Sequence, residues 1–121
     1  MAKTDAAKRC PIALSSDLIG DRWSLVIVRD MLMGKTRFGQ FLGSSEAITA
    51  SVLTARLIRL ETAGLIEKTP YQDNPVRYDY ALTAKGRGLL PVLQALSEWG
   101  NRYFPDVRRP PERFMAMKVS Q

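Results

Sequence analysis

The sequence contains no histidine and a single cysteine, Cys10. Without histidine it lacks the usual general base and the commonest metal ligand. One thiol excludes an internal disulfide and a cysteine-rich metal site. The twelve acidic residues are scattered rather than paired. There is no glycine-rich dinucleotide loop, no P-loop and no nucleophile elbow. The chain therefore reads as a protein that is not an enzyme and takes neither metal nor cofactor. No apolar run approaches the ~18 residues of a membrane span. Residues 1–9 are polar and lack the apolar centre of a signal peptide. No membrane partner is expected, and the expected location is cytoplasmic.

What is present fits one domain with a hydrophobic core: 121 residues, 45% hydrophobic and 25% charged. The net charge of +6 favours a polyanionic partner. Residues 1–9 read as a flexible arm. Pro11 suits the first position of a helix, with Cys10 at its cap, and Gly20 ends it. Asp21 is a natural N-cap for a second helix over 22–33, which carries Trp23, Val26, Ile27 and Leu32. Thr36 is expected to cap a short helix through Phe38, Phe41 and Leu42, and Gly43-Ser44-Ser45 breaks it. Thr49 caps a fourth helix running to Ala63, with Ile48 and Leu53 as a hydrophobic staple and Leu53, Leu57 and Leu60 as its buried seam. Gly64 stops it.

The periodicity then changes from helix to strand. Residues 65–71 read as one strand, 72–75 as a turn, and 76–82 as a second strand that alternates Val76, Tyr78, Tyr80 and Leu82 with polar or small residues. Thr83 caps a long last helix over 84–103, in which Pro91 predicts a kink or break. The basic, proline-containing segment 105–121 is expected to be flexible. The fold class is thus mainly α with a small β-hairpin (α+β): a helix-turn-helix followed by a wing, spanning 10–104.

A helix fits the major groove and a hairpin reaches the adjacent backbone or minor groove. Opposite the leucine seam lie Ser51, Ala55, Ile58 and Thr62, with Arg59 at the edge and Thr54 and Arg56 beside the seam. Thr49, Ser51, Thr54 and Ala55 are small enough to let a backbone approach double-stranded DNA closely. Arg56 and Arg59 are expected on phosphates, and Arg77 reaches out from the wing. In the last helix Leu89, Leu93, Leu96, Gly100 and Tyr103 form an apolar stripe widened by Val92 and Trp99. A domain of this size already has a core, so the stripe suggests contact with a second copy.

These stretches resemble the HxlR-type family of winged helix-turn-helix regulators. The likeness rests on Cys10-Pro11-Ile12, Ile19-Gly20-Asp21-Arg22-Trp23-Ser24, Arg37-Phe38-Gly39, Val52-Leu53-Thr54 with Arg56-Leu57, and Leu60-Glu61 through Gly64-Leu65. It continues through Tyr80-Ala81-Leu82-Thr83, Lys85-Gly86 and Glu98-Trp99. The resemblance implies a homodimer built from the first and last helices, here Leu14 and Leu18 with Leu89, Leu93, Leu96, Trp99 and Tyr103. It also implies a palindromic operator near a regulated promoter, repressed or activated, and a small-molecule effector of unspecified chemistry. Some members sense oxidants or electrophiles through the cysteine that matches Cys10. The segment 42–48 departs from the family pattern, and the second cysteine that some redox-sensing members use is absent. Two other readings stand beside DNA binding. In one, Cys10 is a redox switch, its thiolate favoured by Lys8, Arg9 and a helix N-terminus, rather than a small packing residue. In the other, the winged helix is a protein–protein module that binds no DNA.

Overall fold

The computed structural model describes residues 10–119. The expected N-terminal arm, residues 1–9, lies outside the described residues. Helix α1, Pro11–Ile19, begins with its proline in the first turn, and the Cys10 Sγ accepts the Ala13 N–H at 3.3 Å. Helix α2, Arg22–Leu32, is capped by Asp21, whose carboxylate accepts the Ser24 N–H at 3.1 Å and the Ser24 hydroxyl at 2.6 Å. The short α3, Phe38–Leu42, starts one residue later than expected. Its cap is Arg37 rather than Thr36, because the Gln40 side chain folds back to accept the N–H groups of both Thr36 and Arg37 at 2.8 and 3.0 Å.

Helix α4, Ala50–Thr62, starts at the predicted cap, with the Thr49 hydroxyl accepting the Val52 N–H at 3.4 Å. Ile48 and Leu53 are both buried, as a staple requires. The departure at 42–48 is a tight turn in which Ala47 adopts φ 60°. At the other end of α4, Gly64 takes φ 77°. This lets the Leu65 N–H reach the Leu60 carbonyl and the Gly64 N–H reach the Glu61 carbonyl, a Schellman closure.

Strands β1, Ile66–Asp73, and β2, Val76–Leu82, pair antiparallel from Ile66 opposite Leu82 to Asp73 opposite Val76. The ladder extends the first strand two residues beyond the predicted end and shortens the turn to Asn74-Pro75. A bulge between Pro70 and Gln72 leaves Tyr71 unpaired.

The last helical stretch, expected over 84–103 with a kink or break at Pro91, divides there into two helices. Helix α5, Ala84–Arg87, gives way at Gly88-Leu89 to α6, Leu90–Tyr103. Pro91 has no N–H for the Arg87 carbonyl and its ring would collide with that group, so the break falls just upstream of the proline. The proline then sits comfortably in the first turn of α6. Gly86 is required by packing: a Cβ there would collide with the Leu65 carbonyl and with Leu82.

The core joins Ile27, Val28 and Met31 of α2 to Phe41, Ile48, the α4 seam Leu53, Leu57 and Leu60, then Leu65, Ile66, Leu90 and Leu93. The segment after Phe104, expected to be flexible, departs from that expectation. It contains α7, Glu112–Ala116, and delivers Phe114 into this same core. The Gln94 side-chain amide lies 2.9, 3.3 and 3.0 Å from the carbonyls of Phe114, Met115 and Met117. Docking against the domain, rather than any local pattern, orders this segment.

Candidate nucleic-acid interface

Helix α3, the turn 43–49 and α4 make the helix-turn-helix, and the hairpin follows directly as the wing. The seam Leu53, Leu57 and Leu60 is buried, so the opposite face of α4 is turned outward. Thr49, Ser51, Thr54 and Ala55 are exposed there, together with Ile58 and Thr62. The Thr49 and Ser51 hydroxyls lie 3.5 Å apart at the helix start. The end of α4 is pinned as well. Thr83 Oγ1 donates to the Gly64 carbonyl at 2.6 Å, and Lys85 Nζ to the Ala63 carbonyl at 2.8 Å. Arg77 is exposed near the wing tip, and no ion pair or hydrogen bond engages its side chain among the described residues.

Arg56 and Arg59, expected on phosphates, engage partners within the chain. Arg56 Nε donates to Asp21 Oδ2 at 2.8 Å. Arg59 Nη2 donates to the Asp17 carbonyl at the end of α1 at 2.6 Å, and Arg59 Nη1 lies 3.8 Å from Asp21 Oδ1. Both side chains lean along the helix flank towards the α1–α2 junction, which supplies the Asp21 carboxylate and the Asp17 carbonyl. Partial burial pushes the Asp21 carboxyl up, but hydrogen bonds from Arg56 and from the Ser24 hydroxyl and N–H, with the Arg56 charge, outweigh it and hold the group at about 2. Asp21 therefore remains ionised as the hub linking α2 to α4.

A second ion network supports the turn before α4. Arg29 donates to both oxygens of Glu46 at 2.8 and 2.9 Å and to Asp30 at 2.7 Å, and Lys35 lies 3.3 Å from Asp30. The Arg29 hydrogen bond, working against burial, holds the Glu46 carboxyl at about 2. Arg108 reaches the same turn from the C-terminal segment, donating to Ser45 Oγ at 2.8 Å. The Arg29–Glu46 and Arg108–Ser45 links of this network, and the contacts of Arg37 with Asp79 and Tyr71, have no signal in the sequence pattern because the partners lie 17 or more residues apart. Of these residues only Arg37 stands in a stretch that carries the family likeness, Arg37-Phe38-Gly39.

The apolar stripe of the last helix divides. Leu93 is 7% exposed and belongs to the domain's own core, and Leu89 packs half-buried against that core. Leu96, Trp99 and Tyr103 point outward, Leu96 at 49% and Trp99 at 59% exposure. Trp99 stacks at an angle on Tyr103 and Phe104, with centroids 5.3 and 5.8 Å away. On α1, Ile12 is exposed and Leu14 and Leu18 are partly so. Cys10 is exposed with a free thiol. Among the described residues there is no cluster of metal-ligating side chains, and no helix is long and apolar enough to cross a membrane.

A helix-turn-helix with an outward polar face, followed at once by a two-stranded wing, defines a winged helix-turn-helix protein of the transcription-regulator class. The chain belongs to the HxlR-like helix-turn-helix family, whose sequence model matches residues 18–108. It is 36% identical over 114 residues to an uncharacterised HTH-type transcriptional regulator of Mycobacterium tuberculosis, covering 92% of this chain and 72% of that one. It is 39% identical over 92 residues to a similarly described regulator of Synechocystis, covering 76% of this chain and 68% of the relative. Among solved structures, the redox regulator HypR in its reduced form matches with a TM-score of 0.70 at 35% identity, over 77% of this chain and 94% of that chain.

Proposed function

We propose that the protein regulates transcription by binding double-stranded DNA as a homodimer, with the first half of α4 in the major groove and the wing on the flanking backbone. The observation that carries this reading is the exposed face Thr49, Ser51, Thr54 and Ala55 on a helix fixed at both ends, beside a wing whose Arg77 has no partner among the described residues. Ser51, Thr54 and Ala55 lie nearest the bases, and Thr49 lies beside a phosphate at the helix start. Arg77 supplies a phosphate contact. Arg56 and Arg59, engaged with Asp21 and Asp17, set the angle of the helix rather than neutralising the backbone.

Dimerisation is supported by α1. A helix of nine residues is too short to be stable alone. Ile19 enters the protomer's core and Leu18 packs partly against it, but Ile12 is exposed and Leu14 only partly covered, and the outward stripe of α6 offers the same chemistry. Two copies joined through α1 and α6 are expected to hold their α4 helices roughly 34–36 Å apart, matching successive major grooves.

The test begins with duplexes selected from random sequence by the unmodified protein. Arg77→Ala is expected to weaken binding to selected and unselected duplexes alike, and to lower the log–log salt slope by about 0.9. Ser51→Ala and Thr54→Ala are expected to change the preference among duplexes by about 1 kcal/mol per base pair. If all three variants bind with unaltered affinity, slope and preference, the DNA-binding surface is elsewhere.

A second reading, control of that binding by thiol chemistry, is favoured by the exposed Cys10 at the N-terminus of α1, a helix bonded to α4 through Arg59 and the Asp17 carbonyl. With one cysteine per chain, oxidation joins Cys10 to the partner's equivalent thiol or to a small thiol. Operator affinity of the native protein is expected to change with a mild oxidant, while that of Cys10→Ser stays constant. Equal affinities in all four conditions would reduce Cys10 to a helix cap.

A further inference from the structure

The wing has little to hold it. Within the hairpin only Ile66 is fully buried, and the inward face keeps contact with the domain through Leu82 and Tyr80, the latter edge-on to Phe41 at 6.3 Å. Beyond Tyr80 the core offers the strands nothing. Side chains alternate along a strand, so Arg77, Asp79 and Ala81 share the other face.

That other face is gripped by Arg37, the cap residue of α3. Arg37 Nε donates to Asp79 Oδ1 at 2.9 Å. The guanidinium also lies over the ring of Tyr71, its Cζ 3.7 Å from the centroid. Tyr71, the residue left unpaired by the bulge, lies two residues beyond Thr69, the partner of Asp79. Next to this grip, the Tyr80 N–H donates to the Thr36 carbonyl at 2.7 Å, which lays the chain before α3 along the edge of β2. One planar cation thus touches both strands of the outer wing. It is also one residue away from the backbone bond that joins the hairpin to the helix-turn-helix.

We infer that Arg37 is a positioning residue for DNA binding: it clamps the wing through Asp79 and Tyr71 and thereby aims Arg77, two residues further along the same face. The inference rests on the DNA-binding reading above. An exposed ion pair and an exposed cation–π contact each contribute little to global stability. Lys68 also ties the hairpin to α4, 3.8 Å from Glu61 and 4.5 Å over the Tyr78 ring, but it acts on the opposite face, so the Arg37 contacts decide where the Arg77 face points.

Two measurements test it, one of them without DNA. In limited trypsin digestion, Arg37→Ala is expected to speed cleavage after Arg77 about tenfold, with the thermal midpoint unchanged, because the wing opens locally. Tyr71→Leu, which keeps every charge, is expected to speed it less. An unchanged cleavage rate in Arg37→Ala overturns the clamp. In binding to a duplex selected by the unmodified protein, Arg37→Ala is expected to cost about as much affinity and salt slope as Arg77→Ala, on the order of tenfold. The double variant is expected to lose no more than Arg77→Ala alone. Exchange of the pair, Arg37→Asp with Asp79→Arg, is expected to restore most of the loss. Additive losses and a salt slope reduced twice would make Arg37 a phosphate contact in its own right and overturn the positioning role. If no duplex is retained by the unmodified protein, the DNA-binding reading fails and the positioning role with it. The digestion result then still reports whether the clamp exists.

Discussion

Leu96→Glu is expected to convert the protein from a dimer to a folded monomer at micromolar concentration. Leu96, Trp99 and Tyr103 recur at the spacing of one helix face and point away from the protomer's core. A glutamate at the half-exposed position 96 keeps its carboxylate hydrated in the monomer. In a two-fold interface the same substitution would bury two like charges in apolar surroundings. The effect on DNA is larger than on either half-site alone. A dimer presents its second reading helix at a high effective concentration, so the affinity for a two-half-site duplex is expected to fall by roughly 10²–10⁴-fold. Leu93→Glu provides the contrast. That side chain sits in the domain's own core, and its replacement is expected to unfold the protomer. Sedimentation velocity and circular dichroism separate the two outcomes. A monomeric unmodified protein at micromolar concentration would remove the dimer from the proposal.

Phe114→Ala is expected to lower the unfolding free energy by about 3 kcal/mol, read from urea denaturation. Phe114 is 2% exposed and meets the core from a segment otherwise rich in proline and charge. Its truncation removes a large apolar surface and leaves a cavity that a well-packed core closes only in part. The docking of α7 also brings its carbonyls to Gln94 and precedes it with Arg108 on Ser45. Loss of Phe114 therefore loosens the turn that leads into α4, and DNA affinity is expected to fall along with stability. A change below about 0.5 kcal/mol, typical of a surface position, would show that the C-terminal segment is dispensable to the fold.

The parts of this protein that could be read from the sequence are those whose chemistry is completed within a few residues. Asp21, Thr49 and Thr83 cap helices by bonding an N–H three residues ahead. Gly64 ends α4 by adopting a backbone conformation that other residues resist. The 3.6-residue seam of α4 sets which of its faces is buried, and with it the outward group Thr49, Ser51, Thr54 and Ala55, whereas the alternation of β2 marks a strand of which no residue is fully buried. The Pro91 ring likewise marks where the last helical stretch divides into α5 and α6. Thr36 is the exception, because a glutamine three residues past the true cap moves the helix start to Arg37.

What only the tertiary structure decided is which distant side chains meet. Arg56 joins Asp21 across 35 residues, Arg37 joins Asp79 across 42, and Arg108 joins Ser45 across 63. A basic residue on a helix flank has the same local pattern whether it ends on a phosphate or on an aspartate of its own chain. The packing of α4 against the α1–α2 junction makes the difference, because it brings a carboxylate within reach before any ligand arrives. The same holds for Leu93 and Leu96, neighbours on one stripe. The packing of α6 against α2 and the shared core turns the first into core and leaves the second exposed.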